Sequence, residues 1–452
     1  MKIISGLFDR MVLQRGERNR CDSAVRGNGT PGADVFLRIN RKSWKRVARV
    51  SSRGEFQFQL VGLPAGGPYH IELETRAKGS RAESLSVRDV LVGDVWLAGG
   101  QSNMQGVGLL KFAEKPQREI RAFYMTDRWN IAKDTIHEVW NAVDAVHHTY
   151  ERQTPNPKIG TGPAIGFAAE MQRQTGVPQG IIACAHGARS MNDWKPNRQD
   201  RGKTSLYGAM LRRLEKNGGK TAGLIWYQGE SDAVNGEAAQ YTAKMKQFVR
   251  SLRKDARSSR LPIVAVQISR CTFAEFPFWN SIQEQQRHLP DAIDRLAMVP
   301  AIDLRLEDAI HIGGTDNNRL GRRMARAMLK IISPRHRSIQ PPIALKRCHI
   351  EQDPIQPYAN VVVEFENVEG HLKTDGSPRA AGFFIRSDPP AWDEVIYDTR
   401  LDRNRVILCT RCLLAELPGR SLHYGFATNP FCNIIDEADR SLPAFGPVRL
   451  VK

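Results

Sequence analysis

Four short clusters in this chain have the residue types and spacing that acyl transfer requires. The stretch "VWLAGGQSNMQG" sets Ser102 just after a glycine pair, Gly99 and Gly100, and between the side-chain amides of Gln101 and Asn103. A serine hydroxyl is a weak nucleophile until a neighbouring base removes its proton. The base is supplied by "EDAIHIGG", where Asp308 and His311 lie three apart in one loop, so the carboxylate can hold the imidazole tautomer and stabilise the imidazolium. The tetrahedral intermediate also needs donors already in place for its oxyanion. Candidates are the backbone amides of Ser102 and of Gly187, which begins "GARSMNDW", and the side-chain amide of Gln228 in "YQGESDA".

Something must bring these clusters together, and the runs before them read as buried strands. "DVWLA", "GIIACA" and "GLIW" are strand-forming, and open α/β sheets gather their ligands at the carboxyl ends of strands. Between 91 and 335 the strands alternate with helical periods such as "GPAIGFAAEMQRQTG", "LYGAMLRRLEKNGG" and "NRLGRRMARAMLKIIS", the pattern of a parallel sheet covered on both faces. Residues 1–90 alternate apolar and polar positions in short runs between Gly, Pro and Ser turns, and that texture returns after Pro334. The predicted fold class is α/β: a parallel-sheet domain at 91–335, flanked by all-β sandwich domains at 1–90 and 336–452.

Composition narrows the function classes. A chain of 452 residues with 41% hydrophobic and 25% charged residues is long enough for two to four globular domains. No run approaches the roughly 18 apolar residues that cross a bilayer, so no membrane partner is expected. Asp9 and Arg10 break the amino-terminal apolar run before a signal core forms, and a cytoplasmic location is expected for the chain as written. The excess of 66 Lys+Arg over 48 Asp+Glu gives a formal +18, but it is spread along the chain without a basic tail or a nucleic-acid module. It reads as a solubilising surface, not a nucleic-acid site. Seven cysteines at positions 21, 184, 271, 348, 409, 412 and 432 are an odd, scattered set that makes no disulfide framework. Cys409 and Cys412 form a C-x-x-C, yet "RVILCTRCLLAEL" reads as a core strand and no second close pair exists, so neither metal nor cofactor is expected. His147 and His148, being adjacent, point apart on any regular element and are not read as a ligand pair.

The GQSN block, the glycine loop, "WYQGESDA" and the final Asp-x-x-His together resemble the SGNH-hydrolase superfamily, and within it the sialate O-acetylesterase-like carbohydrate esterases. "LFDRMVLQR", "SLYGAML", "WNSIQEQQ" and "HYGFATNPFCNIIDEADRSLPAFGP" carry the resemblance over nearly the whole chain. It implies a flavodoxin-like sheet, no cofactor, and an acetylated carbohydrate as partner. It also implies roles: Ser102 as nucleophile, His311 as base, Asp308 as its orienting acid, and Gly187 as an oxyanion donor. The third oxyanion position falls to Gln228 or to a polar group two or three residues further on. Gln101, Asn103 and Glu230 support the site or touch substrate. Trp226 is expected in the core, Trp194 either there or under a sugar ring, and His186 bonded within its loop. Relatives of this kind also act outside the cytoplasm, so a periplasmic or secreted location stands beside the cytoplasmic one.

One departure bears on substrate. Where the family usually has Gly-Gly-Thr, this chain has Gly187-Ala188-Arg189. An alanine at a positive φ would alter the turn. Arg189 would either grip the carboxylate of an acidic sugar or pair with Asp193. Two other readings stand beside the leading one: an acetylxylan or other polysaccharide deacetylase using the same residues, and a non-catalytic carbohydrate-binding protein. Intact Ser102, Asp308 and His311 argue against the last. The sequence carries no signal for oligomeric state.

Overall fold

The computed structural model describes residues 1–451 apart from 17, 78, 80–81, 151–155, 197–199, 201, 235, 334–335, 337 and 388–393. Its organising element is one long strand, β1 (Glu83–Gly100), along which side chains alternate in burial at first and are all buried from Val90 onward. The first part pairs antiparallel with Gly66–Arg76 in a sheet with one wet face, whereas the second lies between parallel strands with both faces covered. The other parallel strands are β2 (Ile120–Phe123), β3 (Gln179–Ala183), β4 (Gly223–Tyr227), β5 (Ile263–Gln267) and β6 (Leu296–Pro300), and every residue in them is buried.

Across the sheet the order is β2-β3-β1-β4-β5-β6, with Trp129–Ile131 added antiparallel at the β2 edge. The chain leaves β1 toward one edge and later returns to build the other, so the order reverses at the β1–β4 boundary. A crevice opens at such a point beyond the strands' carboxyl ends.

The boundary expected at 90/91 falls inside β1, and a single hydrophobic core runs from Ile3 to Leu329 through the amino-terminal strands and the parallel sheet. A strand shared by two sheets leaves no linker for a composition shift to mark. The boundary expected at 335/336 abuts 334–335, which lie outside the described residues. Beyond it a second core, from Ile343 to Leu450 and joined by Ile302, is built on the antiparallel strands Ala344–Gln352, Ala359–Glu366, Arg405–Thr410 and Ile396–Asp402 together with shorter pairings. Cys409 is buried in one of these strands, and all seven cysteines are free. Among the described residues no helix is long and apolar enough to cross a membrane.

Candidate active site

Register sets the site. The ends of β1 and β4 coincide, Gly100 opposite Tyr227, and the Gln101 N–H donates to the Tyr227 carbonyl at 2.8 Å. Gly100 has φ +136°, and a Cβ there would lie 2.0 Å from that carbonyl oxygen, so only glycine fits. The chain then turns into a single helical turn, Ser102–Gln105, capped by Gln101. As the first helical residue, Ser102 has an N–H with no acceptor inside its own helix. The end of β3 is laced to β1 by Cys184 N–H to Ala98 O (2.9 Å) and His186 N–H to Gly100 O (3.1 Å). This brings Gly187 against the nucleophile candidate: a Cβ on Gly187 would stand 3.4 Å from Ser102 Cβ.

The third loop follows β6. His311 Nδ1 donates to Asp308 Oδ2 at 2.6 Å, and Asp308 Oδ1 accepts the backbone N–H of Ile310 (2.9 Å) and of His311 (2.7 Å). Burial alone would push the Asp308 carboxyl up, but these three hydrogen bonds and the facing imidazole hold it down at about 2. The ionised carboxylate therefore leaves Nε2 as the unprotonated nitrogen of a neutral His311. Asn103 clamps this loop onto the turn that carries Ser102. Its Oδ1 accepts from Ile312 N–H at 2.9 Å, and its Nδ2 donates to Glu230 Oε1 (2.8 Å) and Ile310 O (3.3 Å). Glu230 is buried, its Oε2 has no hydrogen-bond partner among the described residues, and desolvation raises its pKa above the usual carboxylate value.

Ser102, Gly187, Glu230 and His311 line one cavity of about 540 Å³, walled by Val107, Val139, Trp140, Ile159, Phe276 and Ile310. No hydrogen bond joins Ser102 Oγ to His311, a contact that commonly tightens only in the substrate complex.

One expectation about the oxyanion donors needs correction. Gln228 is fully buried outside the cavity lining, with Nε2 donating to Asp232 Oδ2 (2.5 Å), Arg189 O (3.1 Å) and Gln101 Oε1 (3.4 Å). It braces the glycine loop, because Asp232, the stronger acceptor, holds its NH2 beside the Arg189 carbonyl. Gln101 does line the cavity. Its Oε1 also accepts from Gly229 N–H (3.4 Å) and Ser231 N–H (3.3 Å), so the planar amide turns Nε2 away from these donors. Gly187 is in place, but its N–H donates to Gln105 Oε1 at 2.7 Å. Sequence reasoning missed Gln105. The signal available was its position three residues after Ser102, on the same side of a helical turn.

The altered glycine loop is resolved locally. Ala188 has φ +54°, the left-handed region that costs an L-residue about 1–2 kcal/mol. Ala188→Gly should raise the unfolding free energy by up to about 1 kcal/mol, the relieved strain outweighing glycine's greater unfolded-state entropy. Chemical denaturation checks this; a clear loss of stability would mean that the methyl group packs.

Arg189 does not line the cavity. It reaches Asp193 at 3.8 Å and His186 Nε2 at 3.3 Å. Since a guanidinium can only donate, that His186 nitrogen accepts. The His186 proton then sits on Nδ1 and is given to His147 Nδ1 at 2.8 Å. Burial, with the Arg189 charge, depresses the pKa of His186 to about 4, and burial holds His147 well below its ordinary value. His148 instead faces the Ala142 carbonyl at 2.8 Å, so the adjacent histidines do point apart. Trp194 and Trp226 are both fully buried and pack edge to face at 5.0 Å as core. The aromatic groups at the cavity are Trp140 and Phe276, which have no sequence signal because the short irregular segments that carry them have no period.

Comparison with known proteins gives a family. Residues 92–330 match the family model described as "Carbohydrate esterase, sialic acid-specific acetylesterase". An Arabidopsis thaliana protein named "Probable carbohydrate esterase" is 26% identical over 258 residues, covering 52% of this chain and 90% of its own. The sialate O-acetylesterase of Homo sapiens is 25% identical over 262 residues, 51% of this chain and 49% of its own, so the match spans about half the length of that relative. A solved carbohydrate acetylesterase from Xanthomonas citri shares the fold across 97% of both chains, with a TM-score of 0.71 at 23% identity.

Proposed function

Since this chain belongs to the family of sialic acid-specific carbohydrate acetylesterases, and with it to the carboxylic ester hydrolases, we propose that it removes O-acetyl groups from carbohydrates through a Ser102 acetyl-enzyme. The observation that carries the reading is the Asp308–His311 pair at 2.6 Å, with its imidazole on the same cavity as Ser102. His311 Nε2 takes the Ser102 proton as Oγ attacks the acetyl carbonyl. The oxyanion is received by the N–H groups of Ser102 and Gly187 and by the Gln101 side-chain amide, in place of Gln228. The imidazolium, stabilised by Asp308, returns its proton to the departing sugar oxygen. Water then attacks the acetyl-serine, with His311 again as base, and acetate leaves.

We read the flanking sheets as sandwich domains. An acidic sugar is favoured by the family and by the net charge of +18, and not by Arg189, which Asp193 and His186 engage. The test is acetate release from a panel of acetylated glycans. Faster release from O-acetylated sialic acid than from acetylxylan is expected; the reverse order would favour the polysaccharide deacetylase. No release from any of them, by a folded protein whose Ser102 resists a serine-directed phosphonate, would overturn the esterase reading.

A further inference from the structure

We propose that Gln105 is a latch on the oxyanion hole: its side-chain oxygen holds the Gly187 N–H in the resting enzyme, and the acyl oxygen of the substrate must displace it. The inference rests on Ser102 being the nucleophile. Gln105 ends the helical turn that Ser102 begins, and both side chains line the cavity beside Gly187. The contact is 2.7 Å, and the atom is necessarily the amide oxygen, because a backbone N–H can only donate. The same oxygen lies 3.2 Å from where a Gly187 Cβ would stand, and Ser102 Cβ lies 3.4 Å from that point. An acceptor oxygen bonded to an oxyanion donor, next to the nucleophile, stands where the oxyanion itself would have to go.

The exchange has a direction. In the resting state Gln105 accepts from the Gly187 N–H, and a neutral ester carbonyl gains little by replacing one amide oxygen with another. A full oxyanion binds such a donor about twice as strongly as a neutral acceptor does, so the latch yields as charge develops. Its cost therefore falls on every turnover, and on every reagent that forms a tetrahedral adduct at Ser102.

The experiment compares Gln105→Ala and Gln105→Glu with the wild type, using p-nitrophenyl acetate turnover and the second-order rate of inactivation by a serine-directed phosphonate. Removing the acceptor should raise both rates about three- to tenfold, the worth of one neutral hydrogen bond. A carboxylate at the same place binds the N–H harder and repels the oxyanion, so Gln105→Glu should lower both by about tenfold or more. Opposite signs at one position are what a mere strut for the glycine loop cannot give; a fall in both variants, or no change in Gln105→Ala, overturns the latch. If Gln105→Ala does not fold, Gln105→Met, equally long and without the oxygen, takes its place under the same expectation. Activity surviving in Ser102→Ala would instead sink the underlying nucleophile assignment, whatever Gln105 does.

Discussion

Ser102→Ala is expected to lower kcat by about four orders of magnitude or more while leaving the fold unchanged, because the hydroxyl serves the chemistry alone. Among the described residues its hydroxyl makes no hydrogen bond, and the residue heads a helical turn in which alanine is favoured. The packing that defines the turn lies in Gly100, held against Tyr227, and in Asn103, held to the histidine loop. Thermal melting should therefore coincide with that of the wild type within about 1 °C. A folded variant that kept a tenth of wild-type turnover would remove Ser102 from the mechanism.

The second large effect is expected at Asp308. Asp308 Oδ1 is pinned by two backbone N–H groups, so an asparagine there must keep its oxygen toward the loop and turn its NH2 toward His311. The imidazole would then accept at Nδ1 and carry its proton on Nε2, the wrong tautomer to deprotonate Ser102. Asp308→Asn should cost about 10³- to 10⁴-fold in kcat with the loop intact, and somewhat less than His311→Ala. The pH profile separates the two groups. With its carboxyl held at about 2, Asp308 stays ionised through the working range, so a fall in kcat/KM at mildly acidic pH does not come from Asp308. Being a depressed acid, Asp308 contributes stability above its unfolded pKa and loses it only as pH falls from about 4 towards 2. The carboxylate is 48% exposed, so this contribution is largely screened, and melting temperatures of wild type and Asp308→Asn should stay close near neutrality. Full activity in Asp308→Asn would refute the orienting role.

The sequence by itself determined what depends on local pattern. A strand followed by glycines and a polar triplet can be read at 95–106, and strand–helix alternation fixes a parallel sheet, because apolar period and turn chemistry are written along the chain. Asp308 and His311 were legible as a pair for the same reason: three residues in one loop meet whatever the fold does around them. What only the tertiary structure decided is which atom faces which across the sheet. Gln228 and Gln101 carry identical amides at adjacent strand ends, and no one-dimensional pattern says that Asp232 draws the first away from the cavity while the second stays on its wall. The 90/91 boundary was hidden similarly, since one strand, β1, runs through it and changes partners with only Asp89 in the left-handed region (φ +57°) to mark the passage. Gln105 reaches Gly187 across 82 positions, a hydrogen bond set by the meeting of β1 and β3, strands joined only through the sheet.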